Sequence, residues 1–366
     1  MTVTAVPSLS STTVKSNVMN ASLDVKLEAS LATIDWQAPW LSHLSQLSYL
    51  SQTVASLSKQ MSGSNTVDEN SEGVFDHVSN PLPNHISNHI SNHISNQISN
   101  YSTTVIANLL NTALAQQADN FKQPPPQTKP TQNNQAQALQ FVSQDALPEG
   151  EGYESFIATT GHIPTRDNLH DLFNGSIWLT FPKTKALLNY YHMCEIAKQM
   201  NGKGSGRGRV RDTITVFDEN GAILVTADPS IGEALINFDW QGSLVKPRDS
   251  WDNLQLPSSH AQAAVYIFGH ALLEQLIQPR KSLCAHSIVI NVSPDFFTLS
   301  SFERLAYIDD QLAHHMQQML SKTEVTPRNL APLPVLGVPY FWPDNADVHF
   351  YDDHQVFRSG RRKKHH

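Results

Sequence analysis

Hydrophobic and polar positions are most informative between Pro164 and Lys185, PTRDNLHDLFNGSIWLTFPKTK. Leu169, Leu172, Phe173, Ser176 and Thr180 fall at helical spacing and form one stripe toward a core. Asp167, His170, Asp171, Asn174 and Trp178 fall on the opposite face of the same helix. His170 therefore lies within one turn of both Asp167 and Asn174. Pro164 holds the chain extended, and Thr165 is the expected N-cap, its hydroxyl accepting from the first turn. Phe181-Pro182 ends this helix, and Pro182 suits the first position of the next, which runs through Ala186, Leu187, Tyr190 and Tyr191 to about Met200.

The same reading places further elements. Glu154 to Ile157 predicts a short helix. Thr213–Phe217 and Ala222–Thr226 alternate around Asn220-Gly221 and predict a β-hairpin. A helix follows Asp228-Pro229. Ala261 to Gln278 is apolar on every side, which predicts a buried helix ended by Pro279. Leu283 to Asn291 alternates as a strand with Cys284, His286, Ile288 and Ile290 on one face. Phe302 to Leu320 reads as a helix, and Pro332 to Pro339 as a rigid extended turn.

Composition confines these elements to part of the 366 residues. Much of the first 140 positions is Ser, Asn, Gln, Thr and Pro, which bury too little apolar surface to offset chain entropy. The expected layout is a disordered lead over 1–29, a segment at 30–57 docking through Trp36 and Trp40, and a low-complexity insertion over 58–140 with a helix at 104–117. A globular domain follows over 141–357, then a basic tail over 358–366. The expected fold class is thus α+β: one helix-rich domain with a β-hairpin and a few more strands, carrying a disordered N-terminal region and insertion. Within the insertion, NHIS repeats put His85, His89 and His93 at i, i+4 and i+8. That spacing suits a metal only on a helix, and Asn and Ser form helices poorly, so an expanded tract is the weightier reading.

Charge and cysteine content narrow the class. The net charge of −8 speaks against a nucleic-acid binder as a whole, and two cysteines do not make a disulfide framework. The first residues lack a basic start followed by an apolar run, and no apolar stretch spans a bilayer. A soluble, cytoplasmic protein is expected.

The motifs IDWQAPW, PTRDNLHDLFN with WLTFPKTK, RDTITVFDENG, FGHALLE, PRKSLCAH and PLPVLGVP together resemble a bacterial domain-of-unknown-function family, DUF3025. The resemblance covers 34–56 and 141–358. It implies the domain's extent and carries no activity, substrate, partner or cofactor with it; residues 58–139 read as peculiar to this chain.

Three sets of residues carry candidate chemistry. The first is Asp167, His170, Asp171 and Asn174 beside Arg166. The second is His270 with Glu274, one turn apart, with Tyr266 a turn earlier. The third is His286. Histidines and carboxylates are the usual proton carriers near neutral pH and the usual ligands of divalent metals. One reading is a hydrolase acting on a phosphorylated or nucleotide-like substrate. In it His170, Asp171, Asn174, His270, Glu274 and His286 do acid–base or ligand work, with a divalent metal as an optional cofactor, and Arg166 and Arg211 hold an anion. The other is a protein- or nucleic-acid-binding module whose polar residues form an internal network. Lys203, Arg207, Arg209 and Arg211, set among glycines, could meet a phosphate or RNA. That loop leaves a helix and enters a strand, opposite to a phosphate loop, so a connector is the favoured reading.

Overall fold

Gly221–Thr226 (β3), apolar up to Thr226, and Ala263–Ile267 (β4) are buried at every position, which fits strands covered on both faces. The computed structural model describes residues 26–44, 50, 104–121, 138–200, 208–253, 260–322 and 324–360. The readings for most of the lead, for the NHIS repeat, for 201–207 and for 361–366 lie outside those residues. Among the described residues, β3 and β4 join Cys284–Asn291 (β5) and Ala331–Pro334 (β6) in a sheet of order β4-β3-β5-β6. β3 runs parallel to β5, pairing Ile223 with Ile288, and antiparallel to β4, pairing Leu224 with Val265. β6 pairs antiparallel with β5 and takes Pro332 and Pro334 at the edge, where a missing N–H is tolerated. The Pro-rich run is therefore an edge strand at its start rather than a turn.

Helices pack around this sheet: Val105–Phe121 (α1), Tyr153–Thr160 (α2), Leu169–Thr180 (α3), Pro182–Met200 (α4), Arg209–Asn220 (α5), Pro229–Ile236 (α6), His270–Gln275 (α7) and Ser301–Leu320 (α8). A second, two-stranded parallel sheet joins Gln140–Ser143 (β1) to His162–Thr165 (β2) across α2, with Gly161 at φ 76° closing that helix. The fold is α+β and helix-rich.

Two expectations about the sheet are corrected. Thr213–Phe217 is part of α5, not a hairpin strand, and Asn220-Gly221 is the junction from α5 to β3. Val210, Ile214 and Phe217 share a helical face, and Phe217 stacks on Phe268 at 4.8 Å. That packing outweighs the β-propensity of the Thr-Ile-Thr-Val run. Ala261–Gln278 is likewise not one helix: it is β4, then Phe268-Gly269, then α7. A run apolar on all sides does not distinguish a buried strand from a buried helix. Gly269 makes the break, because a Cβ there would sit 2.5 Å from the Glu219 carbonyl oxygen and the Gly221 nitrogen. Its N–H donates to the Gly221 carbonyl at 2.8 Å, which sets the first residue of α7 against the end of α5.

Segments far away in sequence complete the core. Leu31, Trp40, Leu41 and Leu44 are buried, Trp40 meets Phe341 edge-on, and His43 Nε2 donates to the Ile267 carbonyl at 2.8 Å on the outer strand β4. α1 is also built in. Asn111 bonds both backbone groups of Phe141, at 2.8 and 2.9 Å, and Asp167 accepts from the Ile106 N–H at 2.9 Å. Asp309 of α8 caps α4 by accepting from the Lys183 and Thr184 N–H groups at 2.9 Å each. No helix among the described residues is long and apolar enough to cross a membrane.

Candidate functional site

Three helices turn polar stripes toward a common cavity of about 460 Å³. On α3 these are His170, Asp171, Asn174 and Trp178; on α4, Lys185, Asn189 and His192; on α5, Arg211, Thr215 and Asp218. Each stripe follows the i, i+3/i+4, i+7 spacing by which a helix presents one face. α2 adds Tyr153 and Glu154, and α7 adds His270.

The first stripe begins at a rigid turn. Asn168, not Thr165, is the N-cap of α3, its side chain accepting from the Asp171 N–H at 2.8 Å; Thr165 is the last residue of β2. Asp171 accepts from the Arg166 backbone N–H at 2.6 Å and from its guanidinium at 2.8 and 3.0 Å. That bidentate bond raises the Arg166 pKa and commits Asp171 to orienting Arg166.

In the same first turn of α3, His170 faces α7. Its Nδ1 lies 3.0 Å from Glu274 Oε2, and its Nε2 lies 3.0 Å from His270 Nε2. The two rings meet edge-on at 4.5 Å. The outer members are open to solvent, the His170 and Glu274 side chains being 37% and 43% exposed, whereas the His270 side chain is 8% exposed. Burial pulls the His270 pKa down to about 4, against the opposing pull of Asp218. His270 is thus neutral at pH 7, and an Nε2-to-Nε2 bond needs one donor and one acceptor.

The inner end continues into a buried ion pair. Asp218 Oδ2 is 3.8 Å from His270 Nδ1, and Asp218 Oδ1 is 2.5 Å from Lys185 Nζ. Burial pushes the Asp218 carboxyl up, but Lys185 and His270 outweigh it and leave it below the usual carboxylate value. Lys185 also donates to Asn174 Oδ1 at 2.9 Å, and Asn174 donates to the Tyr153 hydroxyl at 3.0 Å. Burial holds the Tyr153 phenol well above its ordinary pKa.

Of the residues singled out from sequence, His170, Asp171, Asn174, His270, Arg166 and Arg211 line the cavity, and Glu274 touches it through His170. His286 is not among the lining residues; it lies on β5 between Gly221 and Pro332. Tyr266 sits in β4, where burial pushes its pKa up to about 12. Lys185, Asp218, His192 and Tyr153 went unrecognised. The signal for Lys185, Asn189 and His192 was present as a polar stripe on a helix already predicted, whereas Asp218 was hidden by the hairpin reading. Among the described residues no group of three His, Cys, Asp or Glu side chains is arranged to hold a metal.

A family model described as a protein of unknown function, DUF3025, matches residues 139–361. No curated protein and no solved structure matches the chain.

Proposed function

The chain belongs to the DUF3025 family, and for this member we propose that the cavity is an active site carrying out proton-transfer chemistry in the hydrolysis of a small phosphorylated or nucleotide-like substrate. The observation that carries this reading is the 3.0 Å contact between His170 Nε2 and His270 Nε2, with Glu274 behind the outer ring. Two imidazoles in that arrangement hold one proton between them. Glu274 Oε2 orients the outer ring through its Nδ1, and burial disfavours a second proton on the inner ring. A reacting oxygen beside the paired Nε2 atoms could give up a proton to the pair or take one from it, and the exposed Glu274–His170 end would exchange that proton with solvent. Arg166 and Lys185 on the wall are paired with Asp171 and Asp218, and Arg211, whose guanidinium donates to the neutral Gln199, favours an anionic group on the substrate.

The Lys185–Asp218, Lys185–Asn174 and Asn189–Glu154 bonds link α2, α3, α4 and α5, which favours the second reading, a binding module whose polar cluster is internal scaffold. Activity of wild type and His270→Gln on a panel of phosphomonoesters, phosphodiesters and nucleotides separates the two. The enzyme reading expects turnover by wild type and a loss of about 10²–10⁴-fold in the variant at unchanged melting temperature. Equal rates in both proteins, or turnover of nothing on the panel, would favour the scaffold. We assign the protein to a bacterial cytoplasm, a reading supported by two free cysteines, Cys194 and Cys284.

A further inference from the structure

The cavity has a second polar end. Arg211 lies seven residues before Asp218 on α5, and His192 lies seven residues after Lys185 on α4, so both stand two turns, about 10 Å, from the ion pair. His192 is nine-tenths buried, and its Nδ1 has no hydrogen-bond partner. Burial pulls its pKa down, which keeps the ring neutral near neutral pH. Arg211 Nε is also buried without a partner. Its guanidinium donates at 3.3 Å to the neutral Gln199 and meets no carboxylate among the described residues. The carboxylates facing His192 are already engaged: Glu154 accepts from Asn189 at 2.6 Å, and Asp218 holds Lys185. By contrast, the other two cations of the wall each have their own carboxylate, Arg166 with Asp171 and Lys185 with Asp218.

A buried guanidinium N–H and a buried imidazole nitrogen left unbonded are costly unless something fills them. We infer that the Arg211–His192 end of the cavity is an oxyanion subsite, taking a non-reacting carboxylate or phosphate of a substrate whose reacting bond lies at the histidine pair. Arg211 supplies the charge and a directed Nε–H, and His192 supplies a second donor as its Nδ1–H tautomer. This rests on reading the cavity as a substrate site and specifies which end of the substrate is charged.

The test is calorimetric titration of the full chain with inorganic phosphate and, separately, with acetate. Wild type should bind one of them saturably, and which one binds distinguishes a phosphate head from a carboxylate head. Arg211→Gln should weaken that binding by about tenfold or more, with Arg211→Lys in between because it keeps charge but loses the fork. His270→Gln should leave it unchanged. Absence of saturable binding by both ions, or binding that survives Arg211→Gln in a protein of unchanged melting temperature, overturns the subsite. The two readings fail separately. Anion binding lost on Arg211→Gln, with no turnover on the substrate panel, would keep the subsite and discard the catalytic role of the pair.

Discussion

Arg304→Met is expected to destabilise the protein by about 3–5 kcal/mol, because it removes the guanidinium from a buried carboxylate. Arg304 is 6% exposed and its partner Asp252 4% exposed, and the two form a buried ion pair. The same guanidinium donates to the Leu299 carbonyl at 3.1 Å and to the Phe297 carbonyl, and it lies against the rings of Phe296 and Phe297. It thereby ties α8 to the segment that leads toward β4. At about 2–4 °C per kcal/mol for a domain of this size, the melting temperature should fall by roughly 10 °C. Adding Asp252→Asn should recover part of the loss, since a neutral amide tolerates burial better than a carboxylate that has lost its guanidinium. A single variant within 1 °C of wild type by differential scanning calorimetry would show that the pair contributes nothing net.

The second large effect is at the site. Lys185→Met removes the buried ammonium that faces both Asp218 and Asn174, leaving Asp218 with His270 alone. Lys185 is nearly sealed while the Asp218 side chain is 23% exposed, so the expected loss is about 3 kcal/mol, at the lower end for a broken buried pair. Asp218→Asn in the same chain should restore at least a third of it. Urea denaturation of the two single variants and the double variant measures the coupling directly; additive losses would mean that the pair is electrostatically idle.

How far this site could be read from sequence depends on the element. The α3 stripe was legible because hydrophobic period and polar period agree over three turns, from Leu169 to Thr180. His270 and Glu274 were legible as a pair one turn apart, although the helix that carries them is only His270–Gln275. Their meeting with His170, a hundred positions earlier, was not, because no local pattern encodes a contact between α3 and α7. Asp218 was lost to a local signal. Asn-Gly after alternating Thr, Ile and Val favours a hairpin in isolation, and the packing of Val210, Ile214 and Phe217 into the core, with Phe217 on Phe268, makes a helix the better solution. The boundary of the insertion shows the same effect. A helix at 104–117 was expected, and the structure extends it over Val105–Phe121, but its partners Phe141 and Asp167 lie well downstream.

Nitrogen-detected NMR of the histidine side chains, between pH 7 and pH 4, tests the shared proton most directly, with His170→Gln and His270→Gln used to assign the two rings among 17 histidines. The account expects His270 to stay a neutral ring down to about pH 4, with its Nε2 and that of His170 shifted together by one proton held between them. Replacing His170 should change the Nε2 signal of His270, and replacing His270 that of His170, because each removes one end of the Nε2-to-Nε2 bond. A His270 ring that charges near 6.5 in the wild type, with neither Nε2 signal responding to loss of the other ring, would contradict it.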